Sequence, residues 1–412
     1  ELTDVAPELW KEFPALREKS LLQMREMSKA VKYSSTQPQE IDILKNIFDL
    51  LVTRKYAALS AEYLEKMDLV ALGTLADMMP LNSENRILVR SGLNVINERP
   101  RRGLRELLFR QNLMGKILGT IDIAWNISPL INATGRMGVP EKAITLFLSD
   151  DDEARERLAD EIFRLNKERK KLGDSAWDRI LPEANKSYEE FEGKLVFVKD
   201  NTIHRGVTGI IASWLLKYFR TTSLVVSAMD NIAFGSLRSV RGFDVKWFLE
   251  KCSAYFTDYG GHDFAAGFNM EQDNVALFEQ EAKKIVKQMK APPLEEDIIE
   301  IDAELPLSYV TPQLVKIVET FEPYGEGNRP LLFKCSGVKI IDADIIGKTE
   351  KQHLKLLVDT GSRKWPAIFW NASDKLGSEF SVNDNVDIVF RLGKNYYQNN
   401  ETLQLTILDV KK

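Results

Sequence analysis

The stretch YGGHDFAAGF, Tyr259 to Phe268, sets two glycines before one of the chain's three histidines and follows it with small residues. Gly260 and Gly261 remove Cβ atoms where a sheet-forming stretch would otherwise continue. The backbone there can take positive φ, or let a ligand or second segment lie against it. A tight turn before a buried segment needs the same residues. Asp77 is a second candidate: the apolar run Leu69 to Leu72 leads through Gly73-Thr74 to this carboxylate. The run reads as a buried parallel strand ending in a polar loop, where open α/β sheets place their ligands. A capping role for Asp77 is the plainer alternative. Two basic clusters, Arg99, Arg101, Arg102, Arg105 and Arg110, then Arg164, Lys167, Arg169, Lys170 and Lys171, are local positive grooves or solvated helix faces.

These residues must be positioned by several domains, since 412 residues at 44% hydrophobic and 28% charged predict roughly two to four. A net charge of −5 argues against a wholly basic nucleic-acid binder but leaves room for local grooves. The two cysteines lack metal-ligand spacing, so neither a disulfide framework nor a zinc site is expected. A reducing, cytoplasmic setting follows, with no leader and no membrane span. The opening ELTDVAPELW lacks an initiator methionine and reads as part of a longer protein.

Residues 1–150 read as helix-rich with a few buried strands. From Ser149, apolar residues near a 3.6-residue period predict one amphipathic helix of about thirty residues, roughly 45 Å, closed by Pro182. A second α/β unit follows, with KLVFVKD and TTSLVVSAMD as strands and GVTGIIASWLLKYF as a helix. KAPPLEED is a linker. In the last part LQLTILDV alternates, and Asn399-Asn400 marks a hairpin tip, so a small strand-binding barrel is predicted.

Taken in order, these segments resemble the RecJ-type single-strand-specific exonucleases of the DHH phosphoesterase superfamily. DLVALGTLADMMPLNSENRILV resembles the family's fourth catalytic motif, INATGRMG its Asn-Ala-x-Gly-Arg element and IHRGVTGIIAS its His-x-Gly-Val element. GSLRS and YGGHDFAAGF resemble the signatures of the DHH-associated domain, and FEPYGEGNRP the element before the OB-fold. Ile203 stands where tryptophan is usual, and Tyr324 and Glu326 depart from the usual Phe-Gly-Pro-Gly-Asn. The larger departure is that the family's N-terminal Asp-x-Asp and Asp-His-His motifs are not found in this sequence ahead of the fourth-motif stretch.

The resemblance implies an α/β multidomain fold: the C-terminal part of a DHH domain (1–150), a long connecting helix (151–186), a DHH-associated domain (187–290), and a linker with an OB-fold barrel (291–412). It implies 5′-to-3′ hydrolysis of single-stranded DNA in repair and recombination, with two Mn²⁺ or Mg²⁺ ions in the complete enzyme. Asp77 matches the metal shell. Asn132, Arg136, Ser236 and Arg238 match substrate- and phosphate-binding positions. His204 and His262 line the same cleft, with Gly260 and Gly261 letting backbone lie against it. Lys355, Trp365, Tyr396 and Tyr397 are the barrel's strand-binding candidates, Trp370 standing near them. Single-stranded DNA is the expected partner, with a single-strand-binding protein or a helicase beside it, no membrane, and a monomeric state. Lacking most metal ligands, the chain alone is expected to be inactive. Two alternatives remain, a phosphodiesterase for oligonucleotides or cyclic dinucleotides, and a non-catalytic single-strand-binding relative.

Overall fold

Asp68, Ala71, Leu72 and Leu75 recur every three or four positions and are all buried, which is helical and not strand spacing. The computed structural model describes residues 6–27, 39–55, 62–289, 298–348, 351–397 and 400–412. Its first body is built from α1 (Ala6–Glu12), α2 (Leu21–Met27), α3 (Glu40–Lys55), α4 (Met67–Ala76), α5 (Ser83–Glu98), α6 (Arg102–Arg110), α7 (Ser128–Arg136) and α8 (Glu141–Leu148). The strand expected at Leu69–Leu72 is therefore α4, and among the described residues no strand precedes Leu195. A short apolar run reads either way by itself, and packing on α5 decides. Gly92 of α5 lies so close to α4 that a Cβ would overlap the Met67 carbonyl and the Ala71 side chain. Leu72, Leu75, Leu93, Ile96, Leu104, Leu107, Ile127 and Leu130 share the resulting core.

The connecting helix α9 runs Asp152–Glu190, 39 residues and roughly 58 Å. Asp151 caps it, Oδ1 accepting from the N–H groups of Glu153 (3.0 Å) and Ala154 (3.4 Å). Pro182 does not end it. The buried stripe continues past the proline through Ala184 and Ser187, and the Ser187 hydroxyl accepts from the Phe197 N–H at 2.8 Å. Packing against the next domain outweighs the helix-breaking tendency of proline, about 3 kcal/mol.

That domain is a five-stranded sheet in the order β1-β2-β3-β5-β4, from β1 (Leu195–Lys199), β2 (Thr222–Met229), β3 (Ile232–Arg238), β4 (Asp258–His262) and β5 (Ala265–Glu271). Only β1 and β2 are parallel, and helix α10 (Thr208–Phe219) supplies their crossover. α11 (Val245–Cys252) and α12 (Val275–Gln288) cover the other side of the sheet, Phe248 and Phe278 joining Leu224, Leu237 and Phe268 in one core. The predicted linker, 290–297, lies outside the described residues.

A short strand β6 (Ala303–Glu304) and helix α13 (Gln313–Thr320) lead into β7 (Phe333–Lys348), β8 (Lys351–Asp359), β9 (Lys364–Phe369), β10 (Asn385–Tyr397) and β11 (Asn400–Lys411). The order β10-β11-β9-β8-β7 closes by pairing β10 with β7, giving a five-stranded barrel. Leu405 and Ile407 face its core, as their alternation predicts. Asn400 pairs with Tyr397; Asn399, the other residue of the expected tip, lies outside the described residues.

Candidate functional site

Asp77, Asn132 and Arg136 are brought together by two helix ends. Asn132 and Arg136 are four apart on α7, so they share a face, while Leu130 and Ala133 are buried. With Thr134, Ile144 and Phe147 they line an open cleft of about 590 Å³. Asp77 caps the C-terminus of α4, its N–H donating to the Gly73 carbonyl at 3.0 Å. An exposed carboxylate there meets the negative end of the helix dipole, an arrangement that contributes no stability. Met78 beside it has φ +54, and Ser83 has φ +42, so left-handed residues bracket the loop after Asp77.

Arg136 also meets the sheet domain. Its Nη1 donates to the Gly206 carbonyl at 3.4 Å, and a Cβ on Gly206 would overlap the Arg136 carbonyl oxygen. The His204 ring holds this turn, Nδ1 accepting from the Gly206 N–H at 3.0 Å, which leaves the proton of a neutral ring on Nε2. Phe234, Ser236 and Arg238 alternate onto one face of β3. The Arg205 guanidinium sits over the Phe234 ring at 4.8 Å, and the hydroxyls of Thr208 and Ser236 are 2.9 Å apart. Gly209 leaves room for Arg238, whose Nη2 would stand 2.9 Å from a Cβ there. Burial lowers the affinity of the Arg136 and Arg238 guanidiniums for their protons, and at Arg238 the neighbouring Arg136 charge adds to it. Neither forms an ion pair with a carboxylate among the described residues. Two half-buried cations without an acid partner are chemically suited to an anion.

Gly260, Gly261 and His262 lie on the exposed edge strand β4. The close approach at Gly261 comes from its own hairpin return, Ala265 and Ala266, while Gly260 faces open space. His262 is exposed at the strand's end and is not among the residues lining the Asp77 cleft.

Of the first basic cluster, three members are structural. Arg101 makes a bidentate pair with Asp68, Nε to Oδ2 at 2.6 Å and Nη2 to Oδ1 at 2.7 Å, the aspartate being 1% exposed. Arg110 holds Glu106 and Asp160, and Arg99 reaches Glu65. In the second cluster Arg164, Lys167, Lys170 and Lys171 are exposed and Arg169 half-buried.

In the barrel, Trp365 is 0% exposed and fills the core, which corrects its expected place among the strand-binding residues. A strand's inward face takes the larger ring because burial there removes the most apolar surface from water. Trp370, 55% exposed, stands edge-on to His353 at 4.7 Å, and Lys355 is exposed on the neighbouring strand. The side chains of Tyr396 and Tyr397 lie outside the described part. A clasp that sequence reasoning missed joins this barrel to the Asp77 loop: the Leu81 N–H donates to the Glu326 carbonyl at 2.6 Å, and the Thr120 hydroxyl to the Tyr324 carbonyl at 2.5 Å. Its only signal was the glycines of FEPYGEGNRP, where Gly325 abuts Leu81 and Gly327 abuts Pro80.

Among the described residues no three His, Cys, Asp or Glu side chains gather as a metal shell. Asp77 alone does not fit a two-ion centre, which needs several protein donors. No helix of the described residues is long and apolar enough to cross a membrane.

Residues 192–288 match the DHHA1 domain and residues 301–409 the RecJ OB domain. A DHHA1 unit behind a helical body and before an OB barrel is an arrangement that resembles the DHH superfamily, and within it the chain is similar to the RecJ type. It is 34% identical over 275 residues to the single-stranded-DNA-specific exonuclease RecJ of Thermus thermophilus, covering 66% of this chain and 39% of that protein. It is 28% identical over 353 residues to RecJ of Bacillus subtilis, covering 84% of this chain and 44% of the relative. A crystal structure of Thermus thermophilus RecJ in complex with Mg²⁺ superposes with a TM-score of 0.69 at 27% identity, covering 93% of this chain and 58% of that one. The Mn²⁺ complex gives 0.68 at 27% identity, covering 94% and 55%. The chain thus spans about half the length of the curated relatives it matches.

Proposed function

We propose that this chain supplies the phosphate-reading and strand-guiding part of a single-stranded-DNA-specific 5′-to-3′ exonuclease acting in repair and recombination. The observation that carries the reading is the pair Arg136 and Arg238, half-buried where α7 meets the sheet domain and without an ion pair to a carboxylate among the described residues, Arg136 also lining the cleft of Asp77 and Asn132. Guanidiniums held this way suit a terminal 5′ phosphate, Ser236 adding a hydroxyl donor and His204 fixing the Gly206 turn that meets Arg136. His262, with Gly260 and Gly261, borders the strand's path at the sheet edge. Residues 1–150 act as the catalytic-domain part, 151–186 as connector, 187–290 as the phosphate-reading domain and 291–412 as the strand-binding domain.

A base-independent single strand needs backbone contacts and stacking surfaces, which the barrel offers through Trp370 and Lys355. That barrel favours a polymeric substrate over a cyclic dinucleotide. A single-strand-binding protein or a helicase is a fitting partner, and the cytoplasm a fitting compartment. The relatives' Mg²⁺ and Mn²⁺ would supply the hydrolytic chemistry in the whole enzyme, with Asp77 as one ligand.

Two measurements test this. Arg238→Ala is expected to weaken binding of 5′-phosphorylated single strands by about one to two decades while sparing 5′-hydroxyl strands, the scale of charge-assisted bonds worth roughly 1.5 to 3 kcal/mol. Equal losses on both would argue against terminal-phosphate reading. With Mn²⁺ and labelled single-stranded DNA, the 412-residue chain is expected to show no 5′ degradation. Degradation abolished by Asp77→Ala would mean that the chain holds a full metal site.

A further inference from the structure

Arg169 belongs to the inward stripe of α9 and not to its solvated face. Ile162, Asn166, Arg169, Gly173 and Ala176 follow one another at intervals of four, three, four and three, and all but Arg169 are buried. Gly173, one turn beyond, takes the Trp214 ring of α10 so closely that a Cβ there would stand 2.9 Å from it. α9 packs on α7, which ends in Arg136, and on the Arg205–Val207 turn. Arg169 is half-buried and lies within reach of the Arg136 charge at that junction. Its Nε is buried without a hydrogen-bond partner, and it forms no ion pair among the described residues. Asn166, one turn earlier and 8% exposed, likewise has a buried Oδ1 with no partner.

A guanidinium held on an inward stripe with a buried, unpartnered N–H and no ion pair is unfavourable unless something else accepts from it. Burial and the nearby Arg136 charge loosen the Arg169 proton, Asp174 opposing them in part, and Arg238 feels the same Arg136 neighbour. Arg136 is thus the charged neighbour shared by Arg238 on β3 and Arg169 on α9. We propose that Arg169 binds the phosphodiester next to the terminal phosphate, so that Arg238, Arg136 and Arg169 form a row holding two successive backbone phosphates of a single strand. This rests on the terminal-phosphate reading above and extends it: Arg238 reads the strand's end, and Arg169 holds its backbone whatever the end carries. The connecting helix then becomes part of the binding surface.

The test measures binding of the 412-residue chain to 5′-phosphorylated and 5′-hydroxyl oligothymidylate across a salt series. Arg169→Met keeps the apolar stem and removes the charge, and Arg169→Lys keeps a charge but loses the fork. Arg169→Met is expected to weaken both oligonucleotides alike by about one decade and to reduce the log–log salt slope by about 0.7, one single-strand phosphate contact. Arg169→Lys should fall between, with the slope retained. Unchanged affinity and slope in a folded Arg169→Met chain would overturn the proposal, as would a loss confined to the phosphorylated strand. If Arg238→Ala weakened both ends equally, the terminal-phosphate reading would fail, while a uniform loss for Arg169→Met would still support its contact with an internal phosphate.

Discussion

Cys252 and Cys335 show what burial alone does to a reactive group. Neither thiol faces the cleft, and desolvation pushes Cys252 up to about 12 and Cys335 up to about 11 from an ordinary value of 9.0. Both should resist alkylation at pH 8 in the folded chain and react once urea unfolds it. The sign of the pH dependence follows. The folded state holds these protons more tightly than the unfolded state, so their contribution to stability is whole below about pH 9. It is lost as pH rises toward 11 and 12. Urea midpoints should fall across that window, and Cys252→Ala should flatten the fall. An unchanged slope in the variant would assign the alkaline loss to other groups, Tyr324 among them, which desolvation also raises to about 12.

At the scale of elements, the site depends on how closely two of them meet. The end of α7 and the Arg205–Val207 turn approach so tightly that only a residue without a side chain fits at 206. Gly206→Ala must push the turn away from the Arg136 carbonyl, at a cost of about 1–3 kcal/mol typical of overpacking. Thermal melting should record that loss. Arg136 should also lose its Gly206 contact, so affinity for phosphorylated single strands should drop more than in a surface alanine control of equal stability. Binding as strong as the parent's would show that the junction does not hold Arg136 in place.

For the whole molecule, the barrel is tied to the helical body next to the loop after Asp77. The Arg86 guanidinium adds to the clasp by donating to the Thr320 carbonyl at 3.1 Å and the Glu322 carbonyl at 3.3 Å. The barrel and the cleft therefore belong to one connected body. The two barrel tryptophans separate affinity from stability. Trp370→Ala should weaken single-strand binding by the stacking of one base, about 1–3 kcal/mol, with the melting temperature nearly unchanged. Trp365→Ala should instead destabilise the barrel by about 3–5 kcal/mol, the cost of emptying a core position. The reverse pattern would mean that the strand travels elsewhere on the molecule.

What the sequence determined by itself was whatever local rules encode: the alternating barrel strands, the sheet domain's strands and crossover helix, the amphipathic connecting helix, and the motif residues that resemble the RecJ type. Each depends on spacing within a few neighbours, so it could be read from the chain in one dimension. The tertiary structure decided the rest. Leu69 to Leu72 became helix because α5 offered a helical partner at Gly92, and α9 continued past Pro182 because the sheet domain kept burying its stripe. Trp365 and Trp370 are alike in the sequence, and only barrel closure sent one inward and the other to solvent. Arg101 and Arg169 likewise looked like surface charge. Arg101 found Asp68 across 33 residues, whereas Arg169 forms no ion pair among the described residues and feels Asp174 only at longer range, because charge pairing depends on distance in space and no local spacing records it.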